Sequence, residues 1–110
     1  MRVVLFTVAS ILALLSSVTA SAACESAASE QAKKLLAFHI GDSFQDRTSF
    51  ESVSEQAPIK NPANPKQIFK VLEVEGFVSP HGRYRMRFIF YSRPIGCLLM
   101  GQEILEIANL

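Results

Sequence analysis

The sequence has no tryptophan, two histidines and two cysteines among its 110 residues. His39 and His81 are the only imidazoles, and neither has a second ligand at the spacing zinc sites use, so no metal site is expected. No sign of charge dominates, since 11 Lys and Arg stand against 10 Asp and Glu. A balanced chain lacks the electrostatic footprint of nucleic-acid binding, and it has no polybasic tail for anionic lipid. The five glycines form no phosphate-cradling loop, so no nucleotide or other cofactor is expected.

A run long enough to span a membrane is also missing. Val3 to Leu15 is almost unbroken apolar sequence, but a spanning helix needs about 20 such residues. Arg2 before the run and Ala20-Ser21-Ala22 after it complete a secretory signal peptide, with cleavage before Ala23. Val18-Thr19-Ala20 is a second acceptable site. Residues 1–22 are therefore expected to be removed, and residues 23–110 to form one small α+β domain, secreted or periplasmic. A lipid anchor on Cys24 is disfavoured, because Ser21 stands where such sites usually carry leucine. With the leader gone, no transmembrane span remains and Arg2 is lost, so basic and acidic residues balance. Two cysteines in an oxidising compartment favour a Cys24–Cys97 disulfide.

Ser26 to Ile40 has helical periodicity. Ala28, Gln31, Ala32, Leu35, Leu36, Phe38 and His39 share one arc, with Ser29, Glu30, Lys33, Lys34 and Ala37 opposite. Ser26 is the expected N-cap and Gly41 the terminator. Ser49 to Glu55 suits a short edge strand or a helical turn. Ala57 to Lys66, with Pro58, Pro62 and Pro65, is expected to be a loop. Ile68–Val78, Arg83–Arg93 and Cys97–Ala108 are strand-like and separated by short turns, so they should run antiparallel.

Side-chain chemistry sets the register. Val78 against Gly82 places Glu75 opposite Arg85, Glu73 opposite Arg87, Phe77 opposite Arg83 and Val71 opposite Ile89. The other face then pairs Val74 with Met86, Leu72 with Phe88, and Gly76 with Tyr84, whose ring would cover the glycine. A shift of one residue would lose both patterns. For the last strand, Ser92 against Cys97 sets Phe90 opposite Leu99, Met86 opposite Glu103, Tyr84 opposite Leu105 and Arg83 opposite Glu106. That register brings Cys97 to the helix side, beside Cys24. It also turns Glu103 into the core unless a bulge at Gly101 reverses it.

The expected architecture is one N-terminal helix on an antiparallel meander of three strands, with room for a fourth. This order resembles the cystatin-like folds in topology alone and implies nothing about function. The outer sheet face is the unusual feature. It carries Arg83, Arg85, Arg87 and Arg93 in a row, with Phe69, Val71, Ile89, Tyr91, Leu98 and Met100 toward one end. So large an apolar share calls for a cover, either the segment Asp42–Lys66 or a partner. Arginine beside aromatic residues is also what binding hot spots favour. The leading expectation is thus a non-enzymatic protein-binding module, inhibitor-like or self-associating, with Arg83, Arg85, Arg87, Arg93, Phe69, Ile89 and Tyr91 as interaction residues. One alternative is a carrier of a small apolar ligand held between helix and sheet near Phe88, Phe90 and Leu36. Another is an enzyme with His39 or Glu103 as general base. His39 near Asp42 and Ser43 could be drawn as a triad, but nothing around them activates a nucleophile, and a packed, hydrogen-bonded His39 is the simpler reading. Glu73, Glu75 and Glu103 read first as ion-pair partners.

Overall fold

A computed structural model describes residues 20–80 and 82–109. The expected leader lies outside the described residues up to residue 19; its last positions open helix α1, Ala20–Ile40. The helix runs straight through Ser26, which is therefore not its cap. Ala20, Ala22 and Ala23 are strong helix formers and carry it past that point. At the other end Gly41 takes φ 89° and donates its N–H to the carbonyl of Ala37 at 2.8 Å. Only glycine enters that backbone region without strain.

Cys24, Ala28, Ala32 and Leu36, one residue per turn, form the line the helix buries. Ala27, Leu35 and Ile40 flank it. Three small residues in that line let the helix sit close to the sheet, so only the centre of the expected arc is covered. Phe38, at the arc's edge, is 89% exposed and does not belong to the core. A 3-10 stretch, Asp42–Arg47, follows and leads into strand β1, Thr48–Phe50.

The sheet continues with β2 (Ser54–Asn61), β3 (Asn64–Val78), β4 (Gly82–Arg93) and β5 (Gly96–Asn109). β1 and β2 lie end to end along the same edge of β3, and β4 and β5 complete the antiparallel order. The molecule is thus an α+β fold, one helix on a curled antiparallel sheet, and the cystatin-like likeness in topology is loosely plausible. The expected loop at Ala57–Lys66 is largely strand. Pro58 falls where the β2–β3 register slips between Gln56 and Ile59, and an edge strand tolerates a proline at such an irregularity. The true turn is Pro62-Ala63, closed by the Ala63 N–H donating to Asn61 Oδ1 at 2.9 Å.

The β3–β4 register is the expected one throughout, from Val71 opposite Ile89 to Val78 opposite Gly82. The β4–β5 register starts as expected, with Ser92 opposite Cys97 and Phe90 opposite Leu99. It then slips, because Ile89 faces Gly101 and Met100 is left over as a bulge. Met86 consequently faces Ile104, Tyr84 faces Glu106, and Glu103 moves to the outer face opposite Arg87. A second slip between Arg83 and Tyr84 sets Arg83 opposite Ala108. The bulge relieves what an unbroken register would impose, a carboxylate in the core.

Leu72, Val74, Met86, Phe88 and Phe90 meet the helix line in a single core. Gly76 is covered there by Leu36, Met86 and Phe50, while the Tyr84 ring lies over Gly82 instead. Cys24 is bonded to Cys97 with Cα atoms 5.4 Å apart, closing a separation of 73 residues. A loop of that size is worth about 4 kcal/mol in the chain-entropy model.

Candidate functional site on the open face of the sheet

Strand alternation puts Phe69, Val71, Glu73, Glu75 and Phe77 of β3 on the face away from the helix. The same holds for Arg83, Arg85, Arg87, Ile89, Tyr91 and Arg93 of β4, so all seven expected interaction residues share this face. The ion pairs on it differ in detail from the cross-strand register. Arg87 Nε donates to Glu73 Oε1 at 2.9 Å, directly across the strands. Glu75, however, pairs diagonally with Arg83 at 2.8 Å, and Arg85 leans to Glu73 at 3.6 Å. One carboxylate therefore serves two guanidinium groups. The Arg85 contact is one of charge alone, because its buried Nε has no hydrogen-bond partner. The hydrogen bond from Arg83 to Glu75, and then the carboxylate's charge, hold the Arg83 guanidinium above its ordinary pKa. Phe69 and Tyr91 pack edge to face, with ring centroids 6.1 Å apart.

Among the described residues no loop crosses this face. The Asp42–Lys66 segment, weighed as a cover, contributes edge strands beside β3 instead. The sheet's own curl supplies partial cover. Gln56, Ala57 and Ile59 on one edge and Gly101, Gln102 and Glu103 on the other line a single hollow of about 610 Å³, floored by Val71, Arg87 and Ile89. Val71 is only 5% exposed although the described helix lies on the other face. The hollow combines apolar Val71 and Ile89 with a few polar groups, Arg87 among them, and its volume lies in the usual range for ligand sites, about 300–1,000 Å³.

Gly101 is the informative member. Its φ is not positive, so the backbone does not demand glycine there. A Cβ at this position would meet only Ile89 Cδ1, at 3.8 Å, an ordinary contact. Glycine within a strand costs about 0.5–1 kcal/mol relative to alanine. It commonly marks a bulge or the close approach of another molecule. Here any larger side chain would enter the hollow.

The other expected sites are placed differently. His39 is exposed and rests edge-on against Tyr84 at 5.6 Å, instead of being packed and hydrogen-bonded. It borders a cleft of about 430 Å³ that also includes Arg47, Tyr84 and Glu106. Asp42 and Ser43 are exposed in the 3-10 stretch, and among the described residues no hydrogen bond joins either to His39. Phe88, Phe90 and Leu36 are 0–1% exposed and fill the space between helix and sheet. Among the described residues no group of three or more His, Cys, Asp or Glu is placed to hold a metal ion. No described helix is long and apolar enough to cross a membrane.

Sequence reasoning missed Gln56, Ala57 and Gln102 as lining residues. The first two fell at or inside the segment assigned to a loop. The third depended on a register that the bulge altered. Comparison of the chain with family models, curated proteins and solved structures found no match to any.

Proposed function

We propose that this chain is a small, exported, non-enzymatic binding module that holds a partner protein against the open face of its sheet. The observation that carries this reading is the hollow of about 610 Å³ on the side away from the helix. Its floor combines Val71 and Ile89 with Arg87, and Gly101 keeps it open where a larger residue would fit. The arginine row and the Phe69–Tyr91 pair extend the surface along the strands, in the residue types that dominate binding hot spots. The partner is either a second copy of the chain or another protein of the same compartment, such as an enzyme that it inhibits. Export is supported by the leader and by the Cys24–Cys97 bond, a cross-link that oxidising compartments permit.

The carrier reading is less well supported, because Phe88, Phe90 and Leu36 occupy the space its ligand would need. The enzyme reading has the polar cleft at His39, Tyr84 and Glu106 in its favour, but among the described residues no hydrogen bond joins a nucleophile there to an activating base.

The test is a pull-down from the exported fraction, comparing the native protein with Arg85→Glu/Arg87→Glu. Light scattering run alongside reports self-association. A partner or dimer that the native chain holds and the variant releases is the expected result. A variant that keeps every partner, or a strict monomer that captures nothing, would refute the reading.

A further inference from the structure

The two turns Pro62-Ala63 and Pro94-Ile95 lie at the same end of the sheet, both beyond the last β3–β4 pair, Lys70 opposite Phe90. Ile95, at the tip, is 84% exposed. Ile68 and Ile59, from the strands leading to the other turn, are 52% and 44% exposed. Leu98 and Met100 on β5 are also open to solvent. These groups do not share one face. Ile59, Leu98, Phe69 and Tyr91 stand on the outer side, whereas Ile68 points to the helix side beyond the helix's reach. A partner bound to the outer face would leave Ile68 in water on the other side of the sheet. A medium entered end-on covers them all.

Charge on the two turn segments is one-sided. Residues 57–69 contain Lys60 and Lys66 and no carboxylate, and residues 88–102 contain Arg93 and none. Of the nearest carboxylates, Glu55 is committed to Lys70 at 2.8 Å, and Glu25 is on the helix beside Cys24. The helix also enters the fold here, since Cys24 is bonded to Cys97. The apolar leader therefore joins the domain at this end, and a leader engaged with a membrane during export brings it nearest the bilayer.

We infer that this end of the sheet docks end-on to an anionic membrane surface. Ile95, Ile59 and Ile68 enter the headgroup boundary, and Lys60, Lys66 and Arg93 reach the lipid phosphates while their stems lie along the apolar zone. Tyr91 suits the same boundary, with an apolar ring and a polar tip.

Vesicle sedimentation tests the inference. The full chain, expressed with its own leader and purified as the host releases it, is mixed with phosphatidylglycerol/phosphatidylcholine vesicles or with phosphatidylcholine alone. Two variants are compared, Lys60→Glu/Lys66→Glu and Ile95→Ser. All their altered positions are exposed, and intact mass confirms the disulfide in each. The native chain should favour the anionic vesicles and release them as salt rises. Losing both lysines should weaken binding at least about 25-fold, from about fivefold for each basic residue. Ile95→Ser should weaken it about tenfold. Equal binding by all three proteins, no preference for anionic lipid, or capture of an acidic protein with vesicles ignored would each overturn the inference.

Discussion

Replacing Gly101 with valine should make the protein more stable and less able to bind. Two contributions act in the same direction. Removing glycine from a strand recovers about 0.5–1 kcal/mol of chain entropy. The new side chain would lie over Ile89, where its Cβ finds contact at 3.8 Å without backbone collision. Half-burying a valine adds about 1 kcal/mol. The sum is about 1–2 kcal/mol, and a domain of this size shifts its melting temperature by about 4–8 °C per kcal/mol. Thermal unfolding followed by circular dichroism should therefore show a rise of roughly 5–15 °C. The same substitution narrows the hollow from its β5 edge, so partner capture should fall at least tenfold, about the 1.4 kcal/mol that corresponds to a factor of ten. A lower melting temperature would mean that the Met100 bulge itself requires glycine. A stabilised variant that still binds would remove the hollow from consideration as the binding site.

Cys24→Ala/Cys97→Ala should cost about 4 kcal/mol, or roughly 15–30 °C in melting temperature, and reductant should produce a similar loss in the native protein; an unchanged melt would show that the cross-link adds no stability. Gly76→Ala should destabilise by about 1–3 kcal/mol by overpacking, because its Cβ would stand 3.0 Å from both Leu36 Cδ2 and Met86 Cε; urea titration measures this, and a neutral result would mean that the flexible Met86 end gives way.

How much of this could be read from residues alone depended on whether chemistry or periodicity carried the information. The β3–β4 register was legible because the short turn sets Val78 against Gly82, and in that alignment Glu73 and Glu75 face arginines, a pattern that a shift of one residue loses. The disulfide was legible because two cysteines leave one pairing. The last strand was only half legible. Its early pairs are as expected, but a period of two loses its phase after Met100, and only the awkward position of Glu103 hinted at the bulge. Strand β2 was hidden by Pro58 and by Pro62 and Pro65 just after it, which signal a loop unless the strand is known to be an edge. The hollow was least legible of all. It is made by the curl of the sheet, which brings Gln56 and Gln102 to one cavity although two strands lie between them. No local pattern encodes that approach. Phe38 illustrates a smaller limit, since an arc drawn on a helical wheel does not say how much of it the sheet will cover.

The bond between Cys24 and Cys97 ties almost the first residue of the domain to one of its last strands. A nascent chain cannot make it until β5 has been synthesised. Until then Cys24 is the only cysteine the domain has, and a product cut short before residue 97 keeps a reactive thiol for good. Such fragments would pair with one another or with other thiols in the compartment. A thiol assay on the protein as its host makes it thus becomes a check on completeness, separating finished molecules from truncated ones without any knowledge of what the protein binds.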